Sequence, residues 1–165
     1  MNKFTWITIL GFATVSLVAP HQAGAVPTLR LSDGVSTHTI TLADGAATDS
    51  NPDAGVVTYI GAIGNWTVNV TTGIVFTGAG TAHMDLNSIN VSSTSSTGTY
   101  LNIYFSETGF MANTGYWNAA ITGTARNSVQ YTTYIDPLNR LFNTNTRLTY
   151  SGILGPGAFA NTQTS

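Results

Sequence analysis

The chain contains no cysteine. That excludes a disulfide framework, a thiolate metal site and a cysteine nucleophile. Charge is nearly as scarce: Asp, Glu, Lys and Arg together make up 7% of the residues, against about a quarter in ordinary soluble proteins. The sole lysine is Lys3, and beyond it Arg30, Arg126, Arg140 and Arg147 face six aspartates and one glutamate, a net charge of −3 over residues 26–165. No basic patch is available to neutralise phosphates, so nucleic-acid binding is disfavoured. A sustained 3.6-residue apolar spacing with a capping box is also missing after residue 25, so little helix is expected there.

What is present begins with an export signature. Lys3 precedes an uncharged apolar run of 16 residues, 4–19, followed by Pro20 and Ala23-Gly24-Ala25. A positive start, an apolar stretch and an A-x-A site read as a helical signal peptide cut between Ala25 and Val26. The run is shorter than the ~20 residues needed to cross a bilayer, so no membrane span is expected in the mature chain. Residues 1–25 are thus expected to be the signal peptide and 26–165 a single β domain. A cysteine-free exported chain fits bacterial secretion better than a small disulfide-rich scaffold.

Residues 55–76 carry the clearest pattern. Trp66, Val68 and Val70 alternate with Thr67, Asn69 and Thr71, the period of a half-buried strand. Val57 and Tyr59 lie just upstream, and Gly61-Ala62-Ile63-Gly64 is expected to close a hairpin. Before it, Leu29 and Leu31 share a face opposite Arg30, Asp33-Gly34 signals a turn, and residues 36–42 are expected to form the second arm of another hairpin. Residues 44–55, DGAATDSNPDAG, read as a loop. A strand is expected over 83–93 with a β-bulge near Asn87-Ser88, because Met84 and Leu86 have the opposite parity to Ile89 and Val91. A Gly-rich linker over 77–81 precedes it and a turn, SSTSSTG, over 92–98 follows. Residues 100–106 are expected to form a strand with Leu101, Ile103 and Phe105 inward. Shorter strands are expected over 119–126, 129–135 and 147–153, and Gly155-Pro156-Gly157 is expected to end regular structure, leaving a ragged tail. Seven or eight short strands with turns between them predict an all-β fold, an antiparallel β-sandwich or jelly-roll-like arrangement. Trp66, Val68, Val70, Leu101, Ile103 and Phe105 are the expected core, with Asn69 and Asn102 outside.

The order LRLSDG, DSNPDAGVVTY, GNWTVNVTTG, HMDLNSINVSS and LNIYFSETGF, behind a signal peptide, resembles the amino-terminal domain of exported bacterial proteins that bear PEP-CTERM sorting signals. The resemblance covers roughly residues 26–115. It implies a secreted or cell-surface component that is not an enzyme, tied to exopolysaccharide production and the biofilm matrix. Its partners would be extracellular polysaccharide or other surface proteins. The Pro-Glu-Pro motif, apolar span and basic end of such proteins are not found before Ser165, so either a truncated domain or a released member is expected.

Few residues could carry chemistry. Residues 26–165 hold two histidines, His38 and His83, and no G-x-S-x-G elbow, which gives a nucleophile–base–acid triad little support. Glu107 is the only glutamate; a glycosidase would have to pair it with an aspartate such as Asp85 or Asp136. A secreted hydrolase is therefore the weakest reading, and no catalytic residue is assigned. Asp49, Asn51 and Asp53 alternate ahead of Gly55, oxygen ligands at a spacing that can wrap Ca²⁺. The competing reading is an Asx-turn loop whose side chains cap their own backbone. Tyr116 and Trp117, with Asn113 and Asn118 beside them, place aromatic faces next to amides. That combination grips sugar rings in a carbohydrate-binding module; equally, Trp117 packs over an open sandwich end.

Overall fold

The computed structural model describes residues 26–72, 83–86, 88–95, 99–109 and 116–165. The expected signal peptide, the 77–81 linker, Asn87 of the expected bulge and Asn113 of the expected aromatic loop lie outside these, as does the end of the 92–98 turn. Among the described residues ten strands form, and every strand pairing is antiparallel. The first sheet has β1 (Thr28–Ser32) between β2 (Ile40–Ala43) and β6 (Asn102–Ser106). The second has β4 (Trp66–Thr71) between β3 (Thr58–Ile63) and β5 (Ser88–Ser93).

These two sheets face each other across one core, which makes an all-β antiparallel sandwich. Leu29, Leu31 and Leu42 come from the first sheet; Tyr59, Ile63, Val68 and Val70, with Val57 just before β3, come from the second. Alternation decides which side chains enter. In the register of β4, Val70 lies between Tyr59 and Ile89, and Val68 between Gly61 and Val91, while Asn69 is exposed. Each fully buried Leu or Val contributes on the order of 1.5–3 kcal/mol relative to an exposed one. Leu101, Ile103 and Trp66 are only partly buried and pack against this centre rather than forming it. Phe105 is half-buried, and Asn102, expected outside, is half-buried too.

The hairpin between β3 and β4 turns later than its glycines suggest. Ile63 pairs with Trp66, so the connection is Gly64-Asn65 alone. Gly64 has φ 55° and no positive φ occurs at Asn65, the pattern of a two-residue turn with Gly first. Gly61 stays in the strand because the ring of Tyr59 lies over it; a Cβ there would come within 2.6 Å of the Tyr59 hydroxyl. That hydroxyl donates to the Ala62 carbonyl at 3.0 Å. The glycine thus answers a need for close approach instead of a turn. Past the ladder's end, Thr72 Oγ1 accepts from the Val57 N–H at 2.8 Å and donates to the Val57 carbonyl.

Other boundaries move as well. Residues 36–38 form a 3-10 turn, with β2 starting only at Ile40. Residues 83–86 are not strand, and β5 begins at Ser88 with unbroken register to β4. Outside the sandwich, β8 (Thr132–Ile135) pairs with β9 (Thr146–Tyr150), and the register shifts between Thr133 and Tyr134. Val129 makes an isolated bridge to Leu154 rather than opening β8. The largest departure is at the far end. Residues 157–164, expected to be ragged, form β10 (Gly157–Thr164), paired along its whole length with β7 (Asn118–Ala125). Phe159 closes over Gly123, where a Cβ would lie 2.9 Å from the ring, so a glycine in mid-strand is covered by a cross-strand aromatic.

Candidate functional site

The β7–β10 ribbon has two unlike faces. On one, Ala119 is buried, and Ile121, Phe159, Asn161 and Gln163 are half-buried. On the other, Asn118, Ala120, Thr122 and Thr124 of β7 lie beside Ala158, Ala160, Thr162 and Thr164 of β10, and all eight are exposed. This second face has no charge and no side chain larger than Asn, so no bulky group rises from it. Trp117 extends the ladder by one step: its N–H donates to the Ser165 carbonyl at 3.2 Å, and its carbonyl accepts from the Ser165 N–H at 3.0 Å. Alternation then sets Tyr116 on the side of Asn118. Tyr116 is 86% exposed. Trp117 is half-buried.

Three of the four residues expected at an aromatic loop are therefore brought to one end of this ribbon; Asn113 is not among the described residues. Asn118 belongs to β7 instead of the preceding loop, and its Oδ1 accepts from Thr164 Oγ1 at 2.8 Å. Its amide NH₂ keeps its donors. An uncharged strand face of small side chains ending in an open phenol ring, with hydroxyls and an amide along it, can lie against a neutral polymer and hydrogen-bond its hydroxyls.

The loop of Asp49, Asn51 and Asp53 is organised around its own backbone. Asp49 Oδ1 accepts from the N–H groups of Asn51 at 3.0 Å and Thr58 at 2.9 Å, and Oδ2 from Gly45 at 3.2 Å. Asn51 Oδ1 accepts from the Asp53 N–H at 2.8 Å, and Asp44 Oδ2 from Gly55 at 2.7 Å. Both Asp49 oxygens are thus engaged by backbone: Oδ1 ties the loop to the start of β3, and Oδ2 to Gly45 just after β2. Among the described residues no group of three or more His, Asp or Glu is placed to hold a metal ion.

Two titratable groups stand out beyond these. Asp33 Oδ2 lies 2.9 Å from His38 Nδ1, and the Asp33 carboxyl is held below its usual range by that hydrogen bond, then by the Val35 N–H. The spacing Asp33-Gly34-x-x-x-His38 is the only sequence signal for this pair, and no hydroxyl nucleophile is bonded to the histidine among the described residues. Glu107 follows β6 with the parity of Ile103 and Phe105. Its Oε2 is buried without a hydrogen-bond partner, and burial pushes its carboxyl up to about 7. Among the described residues no second carboxyl is hydrogen-bonded to it. His83 and Asp85 are both exposed and lie outside any strand.

No helix among the described residues is long and apolar enough to cross a membrane. No protein-family model, curated protein or solved structure matches the chain.

Proposed function

We propose that this chain is a non-enzymatic extracellular surface protein that adheres to neutral polysaccharide of a bacterial exopolysaccharide or biofilm matrix through the exposed β7–β10 face and Tyr116. The observation that carries the reading is that face: eight exposed, uncharged, small side chains in register, ended by a tyrosine that is 86% exposed. Binding residues concentrate where a rigid scaffold presents them outward. The export signature of residues 1–25 and the resemblance to PEP-CTERM-bearing proteins support an extracellular setting.

The energetics favour weak single contacts. One stacked aromatic contributes about 0.5–1.5 kcal/mol beyond its area, so useful adhesion comes from many copies along one polymer, through effective concentration. The test is retention of the chain on immobilised neutral exopolysaccharide. Tyr116→Ala leaves the Trp117–Ser165 ladder step in place and is expected to lower retention several-fold. Equal retention of wild type and Tyr116→Ala would remove the site.

A further inference from the structure

On the outer face of the first sheet, Arg30 sits against two aromatic rings. Its guanidinium carbon is 4.7 Å from the ring centre of Tyr104 and 4.2 Å from that of Phe142. The two rings meet edge to face, centres 6.4 Å apart at 80°, and so form a corner. Tyr104 is the direct cross-strand neighbour of Arg30 on β6, and Thr41 is its neighbour on β2. Phe142 arrives from the loop between β8 and β9. It has φ 57°, a left-handed backbone that an aromatic residue seldom adopts and that surrounding contacts must enforce. The Phe142 N–H donates to Ser106 Oγ at 3.0 Å, and Asn139, also at φ 57°, accepts from the Gly109 N–H at 2.9 Å. Asp136 braces the loop's start by accepting from Arg140 Nε at 2.8 Å. The ring over Arg30 is therefore held by several independent tethers.

The loop's own arginine is paired with Asp136, whereas the Arg30 side chain has no hydrogen-bond or ion-pair partner among the described residues. Among the described residues the buried side-chain atoms without partners are Thr58 Oγ1, Trp66 Nε1 and Glu107 Oε2; no Arg30 nitrogen is among them, so its unmade donors face solvent. A guanidinium seated in a corner of two rings leaves the N–H groups turned away from them free, and two of these match a carboxylate with two parallel hydrogen bonds. The corner also restricts the group's orientation before any ligand arrives, which lowers the ordering cost of binding. Thr41 is exposed and Asn102 half-buried on the same outward face, and the side chains of both are free of hydrogen bonds to the described residues. They offer hydroxyl and amide partners to a polyhydroxylated ring.

We infer that Arg30, Tyr104 and Phe142 form a binding site for the carboxylate of a uronic-acid sugar, separate from the Tyr116 face and independent of it. The test is calorimetric titration of the full chain with trigalacturonate at low salt, beside its methyl ester and beside polyglutamate. Saturable binding of trigalacturonate, lost on esterification and at least severalfold weaker for polyglutamate, is expected. Arg30→Lys keeps the charge but loses the fork, and is expected to weaken binding about tenfold. Tyr116→Ala is expected to bind trigalacturonate as wild type does. Equal binding of the methyl ester, which needs no variant to fold, would overturn the site. So would undiminished binding by Arg30→Lys, or polyglutamate binding as tightly, which would point to an acidic peptide.

Discussion

Replacing Glu107 with Gln is expected to stabilise the protein, and only above mildly acidic pH. The alternation of β6 carries Glu107 to the inward side behind Ile103 and Phe105, where its Oε2 is buried with no partner. Desolvation raises its carboxyl from 4.5 to about 7. Below about pH 4.5 the group is protonated in the folded and the unfolded chain alike, and it adds no pH dependence. Between about 4.5 and 7 the unfolded chain has lost the proton while the folded chain still holds it. The folded state therefore loses stability as pH rises through that window, and above about 7 the penalty stays constant. At about 1.4 kcal/mol per pKa unit, a dry carboxyl with this shift would cost about 3 kcal/mol. Glu107 is only partly buried, so water screens part of this and about 1–2 kcal/mol is the expected size. Glutamine has the shape of the protonated acid and no charge at any pH. Its advantage over wild type should be near zero at about pH 4 and reach about 1–2 kcal/mol at about pH 8, or about 2–8 °C in Tm for a chain of this length. Paired thermal melts of the two proteins across that range read the difference directly, because every other titrating group cancels in the comparison. A difference that stays flat with pH would refute the placement of Glu107 in a desolvated environment.

Two other substitutions test the packing. Val70→Ala empties the centre of β4, where Val70 is fully buried, and should cost about 1–3 kcal/mol in urea unfolding; a cost below about 0.5 kcal/mol would mean that this face of β4 is not the core face. Gly64→Ala adds a Cβ at φ 55° that would collide with the Asp33 carboxylate and reach 2.7 Å from His38 Nδ1. Strain and collision together should destabilise by about 1–3 kcal/mol, and unchanged stability would show that the β3–β4 turn does not rest on the Asp33–His38 pair.

The sandwich was legible wherever burial on one face leaves a period of two. Leu29 and Leu31 against Arg30, and Val68 and Val70 against Asn69, are arranged as alternation requires. Boundaries failed where one residue type serves two purposes. Gly61 looks like a turn former, yet it is in the strand to seat the Tyr59 ring. Met84 and Leu86 look like a strand face, yet pairing begins at Ser88. Tertiary contact decided both cases, and short-range preference could not.

β7 is the strand expected over 119–126, but its partner β10 and the Arg30 corner were illegible for a different reason. Period-two reasoning finds strands by contrast between an apolar and a polar face, and β10 has little: Ala158, Ala160, Thr162 and Thr164 alternate with Phe159, Asn161 and Gln163. Its strand character comes from pairing with β7, including the seat that Gly123 makes for Phe159, and that partner is more than thirty residues away. The corner is more distant still, since residues 30, 104 and 142 come from the first strand, the sixth and a late loop. Arg30 could be placed outward from LRLSD alone, but the rings that hold it depend on β1–β6 register and on a left-handed backbone at a phenylalanine. A chain with so little charge leaves its binding chemistry to shape and to single groups. Such groups acquire meaning only through non-local register, which is why Tyr116 and Asn118 could be named from residue order while the strand face beside them and the Arg30 corner could not.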